Sequence, residues 1–199
     1  MTNVDLRGWK LTLPVGKPDE IRDLAGFKSE HFESGPDGLL FRAPVEGVTT
    51  KGSSYPRCEL RELALWSTES GTHTMSITQA ITRLPARKPH VVAGQIHDAR
   101  DDVIMIRLEG KTLFVEGGGK DLGLLDPAYA LGTFFDVKVV AAASRIRVAY
   151  NGADKVDVER PAVGCYFKAG VYTQSNLEKG DVAGERGEVR IRALSVRHE

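Results

Sequence analysis

The sequence predicts an all-β domain, a sandwich or barrel of antiparallel strands. Three observations carry that expectation. Apolar and polar residues alternate with period two along much of the chain; Gly (21) and Pro (9) together make up 30 of 199 residues; and a single short segment has helical punctuation. Short strands separated by many turns each bury one face, and two such faces packed together form a core.

In chain order, the helical candidate comes first, at residues 18–24 (PDEIRDL). Pro and acidic residues occupy its first turn, and it is long enough for about two turns. Strands are expected over 103–108 (VIMIRL), 112–115, 134–140, 145–150 and 189–196. Asn151-Gly152 separates RIRVAY from the KVDVE run and predicts a hairpin, because both central residues of such a turn must tolerate positive φ. The run Gly117-Gly118-Gly119 lies between strand candidates with no helical pattern after it, so a mobile loop is expected there rather than a phosphate cradle. No linker, low-complexity tract or 20–50-residue repeat interrupts the chain, which predicts a single domain over 1–199.

Charge narrows the partners. Lys and Arg number 27 against 27 Asp and Glu. Phosphate affinity comes largely from excess Lys and Arg, so no nucleic-acid partner is expected. The longest purely apolar run, residues 139–143, falls far short of the roughly 20 a spanning helix needs, so no membrane partner is expected either. Asp5 and Arg7 stand where a signal peptide would place its apolar region, which reads as a cytoplasmic or already processed chain. Two isolated cysteines, Cys58 and Cys165, exclude a disulfide-dense scaffold and a four-thiolate zinc site, and buried free thiols are the expectation. No histidines fall at metal-ligand spacing, so neither a metal nor another cofactor is anticipated, and the chain is expected to be a monomer.

Function is written in three strands whose polar faces are chemically specific. In SYPRCELREL, Tyr55, Arg57, Glu59 and Arg61 share one face while Cys58 and Leu60 share the other. Two arginines flanking a carboxylate make a fork for an anion, although a solvated salt-bridge ladder has the same pattern. In AGQIHD, Gln95 and His97 share a face opposite Ile96. Gln supplies amide donors and His titrates near neutrality, although a lone histidine is more often structural. In YFKAGVYTQ, the residues Tyr166, Lys168, Gly170, Tyr172 and Gln174 oppose Phe167, Ala169 and Val171. Gly170 in mid-strand suggests close approach of a ligand to the backbone.

If these strands are neighbours, one sheet face gathers guanidinium, ammonium, imidazole, amide and phenol groups. That inventory lacks the carboxylate pair of glycoside hydrolysis. It suits β-elimination from a uronic acid, where donors neutralise the carboxylate, a base takes the C5 proton and an acid protonates the leaving O4.

The same residues carry a family resemblance. YPRCELREL, QIH and YFKAGVYTQ resemble, in order, three motifs of the family 7 polysaccharide lyases, the alginate lyases, and WKLTLPVG and FRAPVEG extend the similarity over nearly the whole chain. The resemblance implies a jelly-roll β-sandwich of two antiparallel sheets with an open groove on the concave sheet. It implies a secreted or periplasmic enzyme that cleaves alginate by β-elimination with no catalytic metal. Carried over by motif position, Arg57 and Gln95 neutralise the carboxylate, His97 is the base and Tyr172 the acid. Glu59, Arg61, Tyr166, Lys168 and Gln174 are then substrate-binding neighbours. Arg57, Arg61 and Lys168 are expected to lower the His97 pKa. Cys58 replaces the family's usual Ser or Thr and should face the core. The Ile of QIH leans toward guluronate-containing blocks. A lyase for another polyuronate such as glucuronan, and a non-catalytic carbohydrate-binding jelly roll, are the alternatives.

Overall fold

The computed structural model describes residues 4–199 as sixteen strands and one 3-10 turn. The first half contains β1 (Trp9–Thr12), β2 (Glu20–Ile21), β3 (Phe32–Gly35), β4 (Gly38–Pro44), β5 (Arg57–Glu62), β6 (Trp66–Ser67), β7 (Thr72–Arg83) and β8 (His90–His97). The second contains β9 (Asp102–Glu109), β10 (Thr112–Gly117), β11 (Lys120–Asp126), β12 (Phe135–Ala142), β13 (Arg145–Tyr150), β14 (Ala153–Glu159), β15 (Val163–Thr173) and β16 (Arg186–His198).

Two antiparallel sheets form the sandwich. One runs β11-β10-β9-β8-β15-β5-β1-β2, with β6 added beside β15; the other runs β14-β13-β12-β7-β16-β4-β3. Side chains alternate across each strand, so one set from each sheet meets in a shared core. Phe32, Phe41, Phe135 and Phe167 are among its largest fully buried members. The five strands expected from alternation all form: 145–150 with the expected bounds, 134–140 as Phe135–Ala142, and the other three longer than expected by two to five residues. Asn151 (φ 47°) and Gly152 (φ 81°) turn β13 into β14 as the dipeptide demands.

Two local expectations fail. Residues 18–24 hold no helix: Glu20 and Ile21 pair antiparallel with Thr12 and Leu11 on β1, and Lys10 Nζ lies 2.5 Å from Glu20 Oε1. A seven-residue segment is too short to sustain a helix without packing, and an open strand edge offers it better-satisfied backbone. The Gly run is not an open loop: Gly117 pairs with Lys120, and Gly118 (φ 60°) and Gly119 (φ 71°) make a tight hairpin turn between β10 and β11.

Gly170 also has a reason different from the expected one. It takes φ 132°, and a Cβ there would sit 2.6 Å from the Cys58 carbonyl oxygen and 3.0 Å from Glu59 Cα. The backbone of β5, not a ligand, requires the glycine. The β15–β8 register shifts between Ala169 and Tyr172, and the β8–β9 register shifts between Val92 and Gln95. Such irregularities bend the strands that carry them. Cys58 and Cys165 are buried free thiols, and Cys58 Sγ–H donates to the His31 carbonyl.

Gly170→Ala is expected to destabilise the fold by about 2 kcal/mol or more, since it combines a strained φ with a backbone collision. Urea denaturation of the two proteins measures the difference, and equal midpoints would refute the steric account.

Candidate active site

Alternation puts Arg57, Glu59 and Arg61 of β5 on the face away from the core, and the register lays them beside β15. Arg57 pairs with Tyr172, Glu59 with Gly170 and Arg61 with Lys168. On the other side of β15, Lys168 pairs with Gln95 and Tyr166 with His97. The three polar strand faces are therefore adjacent, in the order β8, β15, β5. They line a cleft of about 520 Å³ to which Arg57, Arg61, Gln95, His97, Tyr166, Lys168 and Tyr172 all contribute. Tyr172 lies six positions after Tyr166, which is beside His97, roughly 20 Å along an ideal strand. Both nevertheless line the one cleft, and the register of β15 against β8 shifts between them.

At its floor lies Glu59, fully buried. Lys168 Nζ donates to its Oε2 at 2.5 Å, Arg57 Nη1 to the same oxygen at 3.2 Å, and Gln95 Nε2 to Oε1 at 2.5 Å. Burial alone would push this carboxyl up, but the Lys168 and Arg57 charges and the bonds from Lys168 and Gln95 hold it below the usual carboxylate range. Glu59 is thus not the substrate contact its strand position suggested. It is an ionised anchor on which three groups of the cleft converge.

The cations outnumber that anchor. Burial brings Lys168 down to about 8, Glu59 opposes the shift, and Arg57 and Arg61 add to it. Lys168 and Arg57 share that one carboxylate, and Arg61, beside Lys168 in the register, adds a further positive charge, which leaves positive potential on the cleft floor for an anionic ligand. Two of them also stack on tyrosines: the Arg57 guanidinium lies 3.8 Å from the Tyr172 ring centre and that of Arg61 3.9 Å from Tyr166. Such cation–π pairs hold planar groups in fixed orientations.

His97 is half-buried, its ring stacked on Tyr166 at 5.5 Å. Its Nδ1 lies 2.7 Å from the Asp98 carbonyl oxygen. A carbonyl only accepts, so Nδ1 carries the hydrogen, and the neutral ring keeps its lone pair on Nε2. The Tyr166 hydroxyl, 3.1 Å from Nδ1, supports the same ring orientation. The His97 pKa lies below its ordinary 6.5, first because burial disfavours the imidazolium and further because Lys168 and Arg57 repel it. The expected cationic influence is present but secondary to burial.

Tyr172 meets a residue that the motif pattern did not single out. Its hydroxyl is 2.9 Å from Ser53 Oγ, on the segment between β4 and β5. Lys10, Thr12 and Glu20 from β1 and β2 also line the cleft, as do Arg100, Asp101 and Asp102 beyond β8. The alternation of WKLT, with Trp9 and Leu11 inward, was the available signal for Lys10 and Thr12. Gln174, expected beside the substrate, is buried outside the cleft, where its backbone N–H donates to the His90 carbonyl. The strand ends at Thr173, whose core-facing hydroxyl donates to the Ala43 carbonyl, so Gln174 no longer follows the alternation. Among the described residues no His, Cys, Asp or Glu group is arranged to hold a metal ion. No helix among them is long and apolar enough to cross a membrane.

Comparison with known proteins identifies the family to which this antiparallel sandwich, with its cationic, tyrosine-walled cleft across one sheet, belongs. The sequence model of the alginate lyase family matches residues 4–198. The alginate lyase AlgAT5 from polysaccharide lyase family 7 is 53% identical, superposes with a TM-score of 0.96, and aligns over 99% of this chain and 97% of its own. The alginate lyase from Corynebacterium sp. is 41% identical with a TM-score of 0.94, over 99% and 96% of the two chains. A double variant of family 7 alginate lyase A1-II′, solved in complex with its substrate GGMG, is 27% identical with a TM-score of 0.86, over 98% and 94%. This chain belongs to the alginate lyase family.

Glu59→Gln tests the anchor. It keeps the shape but removes the charge that Lys168 and Arg57 share, and breaking a buried ion pair from one side costs about 3–5 kcal/mol. Chemical denaturation is expected to show a loss of that size; a loss below about 1 kcal/mol would mean that the cations do not depend on Glu59.

Proposed function

We propose that this alginate lyase cleaves the 4-O-glycosidic bond by β-elimination, leaving an unsaturated uronate at the new end. The observation that carries the reading is a neutral, Nε2-basic His97 in the same cleft as a Tyr172 hydroxyl, with Arg57 and Gln95 fixed between them by Glu59.

The difficulty of the reaction is the C5 proton, because the adjacent carboxylate opposes a carbanion. Arg57 and the remaining amide hydrogen of Gln95 bind that carboxylate and stabilise the enolate that develops on it. Their bonds to Glu59 hold them in place before substrate arrives, so little reorganisation accompanies the charge change. His97 Nε2 takes the C5 proton, electrons shift to form the C4–C5 double bond, and the C4–O4 bond breaks as Tyr172 delivers its proton to O4. Arg61, Lys168 and Tyr166 bind the flanking polyanion. The complex of the A1-II′ relative with its substrate GGMG supports an alginate oligosaccharide as the class of ligand.

A preference for guluronate-containing blocks is the finer part of the proposal. It follows from the Ile of QIH, and Ile96 is fully buried on the core side. Its influence reaches the sugar only through the placement of Gln95 and His97. Stereochemistry gives a sharper handle. On guluronate the proton and the leaving oxygen lie on opposite sides of the ring, so two separate groups are needed. On mannuronate they lie on the same side, where Tyr172 alone can serve both steps.

Ultraviolet absorbance during incubation with polyguluronate, polymannuronate and glucuronan reads the conjugated product directly. Absorbance is expected to rise fastest on polyguluronate. His97→Ala is expected to cost about 100- to 10,000-fold there and markedly less on polymannuronate. No absorbance rise on any alginate block would overturn the elimination reading, and equal losses on both blocks would remove the assignment of His97 as the guluronate base.

The pH profile follows from the direction of the His97 shift. The neutral ring is the competent form and burial lowers its pKa, so kcat/KM is expected to rise with pH through a limb centred below 6.5. The limb should vanish in His97→Ala. A limb above 6.5, or one that survives the substitution, would assign the titration to another group.

A further inference from the structure

We propose that Ser53 is a positioning residue for the acid step: its hydroxyl accepts the Tyr172 hydrogen in the resting enzyme and donates to the phenolate that forms when that hydrogen leaves. The inference rests on the reading of Tyr172 as the acid and extends it to a residue outside the three motifs.

Proton counting supports the first half. Ser53 Oγ lies 3.0 Å from the Tyr55 carbonyl oxygen, a pure acceptor, so the serine's single hydrogen points there. The same oxygen accepts from the Tyr55 N–H at 3.2 Å. With its hydrogen committed, Ser53 meets Tyr172 at 2.9 Å as an acceptor, and the phenol is the donor. The hydrogen to be transferred is therefore held at a defined place before the substrate oxygen competes for it.

The second half follows from hydroxyl chemistry. During the step the Tyr172 O–H bond breaks, a new O–H bond forms on O4, and the C4–O4 electron pair remains on that oxygen. The tyrosine oxygen is left negative, facing Ser53 and with the Arg57 guanidinium over its ring. A serine hydroxyl rotates freely, so its hydrogen can leave the Tyr55 carbonyl for the phenolate, exchanging a neutral hydrogen bond for a stronger charge-assisted one. Water then returns a proton to the phenolate, His97 releases the C5 proton to solvent, and the cycle closes.

Ser53 is well fixed for this part. Its N–H donates to the Thr50 carbonyl at 2.9 Å, Asn176 Nδ2 donates to the neighbouring Ser54 carbonyl at 2.8 Å, and Thr49 bridges to Pro56. Tyr55 is tied in turn by Lys88 Nζ, 2.9 Å from its hydroxyl. The segment is held on several sides, and its serine is aimed at the phenol.

The test measures turnover of Ser53→Ala and Ser53→Thr on polyguluronate, each in the native and the Tyr172→Phe background, with melting temperatures alongside. Ser53→Ala is expected to lower kcat about tenfold or more while KM and melting temperature stay nearly unchanged, because the bond matters most when charge develops. Ser53→Thr, which keeps the hydroxyl, should restore most of the turnover. With Tyr172→Phe already present, Ser53→Ala should cost nothing further. Full turnover in Ser53→Ala alongside a crippled Tyr172→Phe would overturn the role of Ser53 and leave the acid assignment standing. A rise in KM with a lower melting temperature and no rescue by threonine would reduce Ser53 to a structural loop residue. Near-normal turnover in Tyr172→Phe would instead remove the acid assignment itself.

Discussion

The buried carboxylate of Glu59 is the constraint on which the site depends. A lone ionised carboxylate at zero exposure would be prohibitively unfavourable, and Lys168, Arg57 and Gln95 resolve that cost by donating to it. In doing so each surrenders its freedom. Lys168 and Arg57 become fixed charges, and Gln95 keeps one amide hydrogen in a known direction. The arrangement reverses the usual expectation for a polyanion-binding groove, in which a carboxylate would only repel the ligand. Buried beneath two cations and an amide, it organises them, and its single charge does not cancel the two positive ones.

That anchor explains why three separate strand segments act as one unit. Glu59 belongs to β5, Gln95 to β8 and Lys168 to β15, and the two hydrogen bonds at 2.5 Å tie β5 to both other strands through side chains. Gly170 completes the junction. It lets β15 pass close to the β5 backbone in regular register while the pairing with β8 shifts, and alternation keeps Lys168 and Tyr172 on the same face. Core packing of Phe167, Ala169 and Val171 fixes the opposite face of the same strand. The geometry of the cleft is thus set by the fold's own packing and not by mobile surface groups.

Much of this was legible because strands obey a strict parity. Once SYPRCELREL is read as a strand, Arg57, Glu59 and Arg61 must share a face and Cys58 must oppose them, and the same holds for Gln95 with His97 and for Tyr166 with Tyr172. Parity does not report depth, however, so Glu59 read as a ligand contact although it lies beneath its neighbours. Nor does it report where a face ends, which is why Gln174 was placed with Tyr172. The longest strand of the opposing sheet but one, β7, was not legible: His73 and Gln79 occupy buried positions in it and disguise the apolar alternation. Residues 18–24 misled for the opposite reason, since good local helix punctuation was overridden by a free strand edge on β1.

Ser53 marks the limit of reading by motif. It sits only two residues before Tyr55 and four before Arg57, yet its partner Tyr172 lies 119 positions along the chain. The local signal, a serine bonding to the backbone two residues ahead, says only that the chain turns there. That turn places the serine hydroxyl against a phenol from the central strand, and only the pairing of β5 with β15 creates the meeting. The proposed base and the proposed acid are consequently supported in different ways. His97 is oriented by the carbonyl of the next residue and by a tyrosine on the neighbouring strand, both part of the sheet or its immediate edge. Tyr172 is oriented by a segment outside the sheet, pinned at Ser54 by Asn176 and at Tyr55 by Lys88. On the proposed assignment, substitutions in the sheet disturb carboxylate binding and proton abstraction together, whereas loss of the Ser53 hydroxyl acts on the leaving-group step.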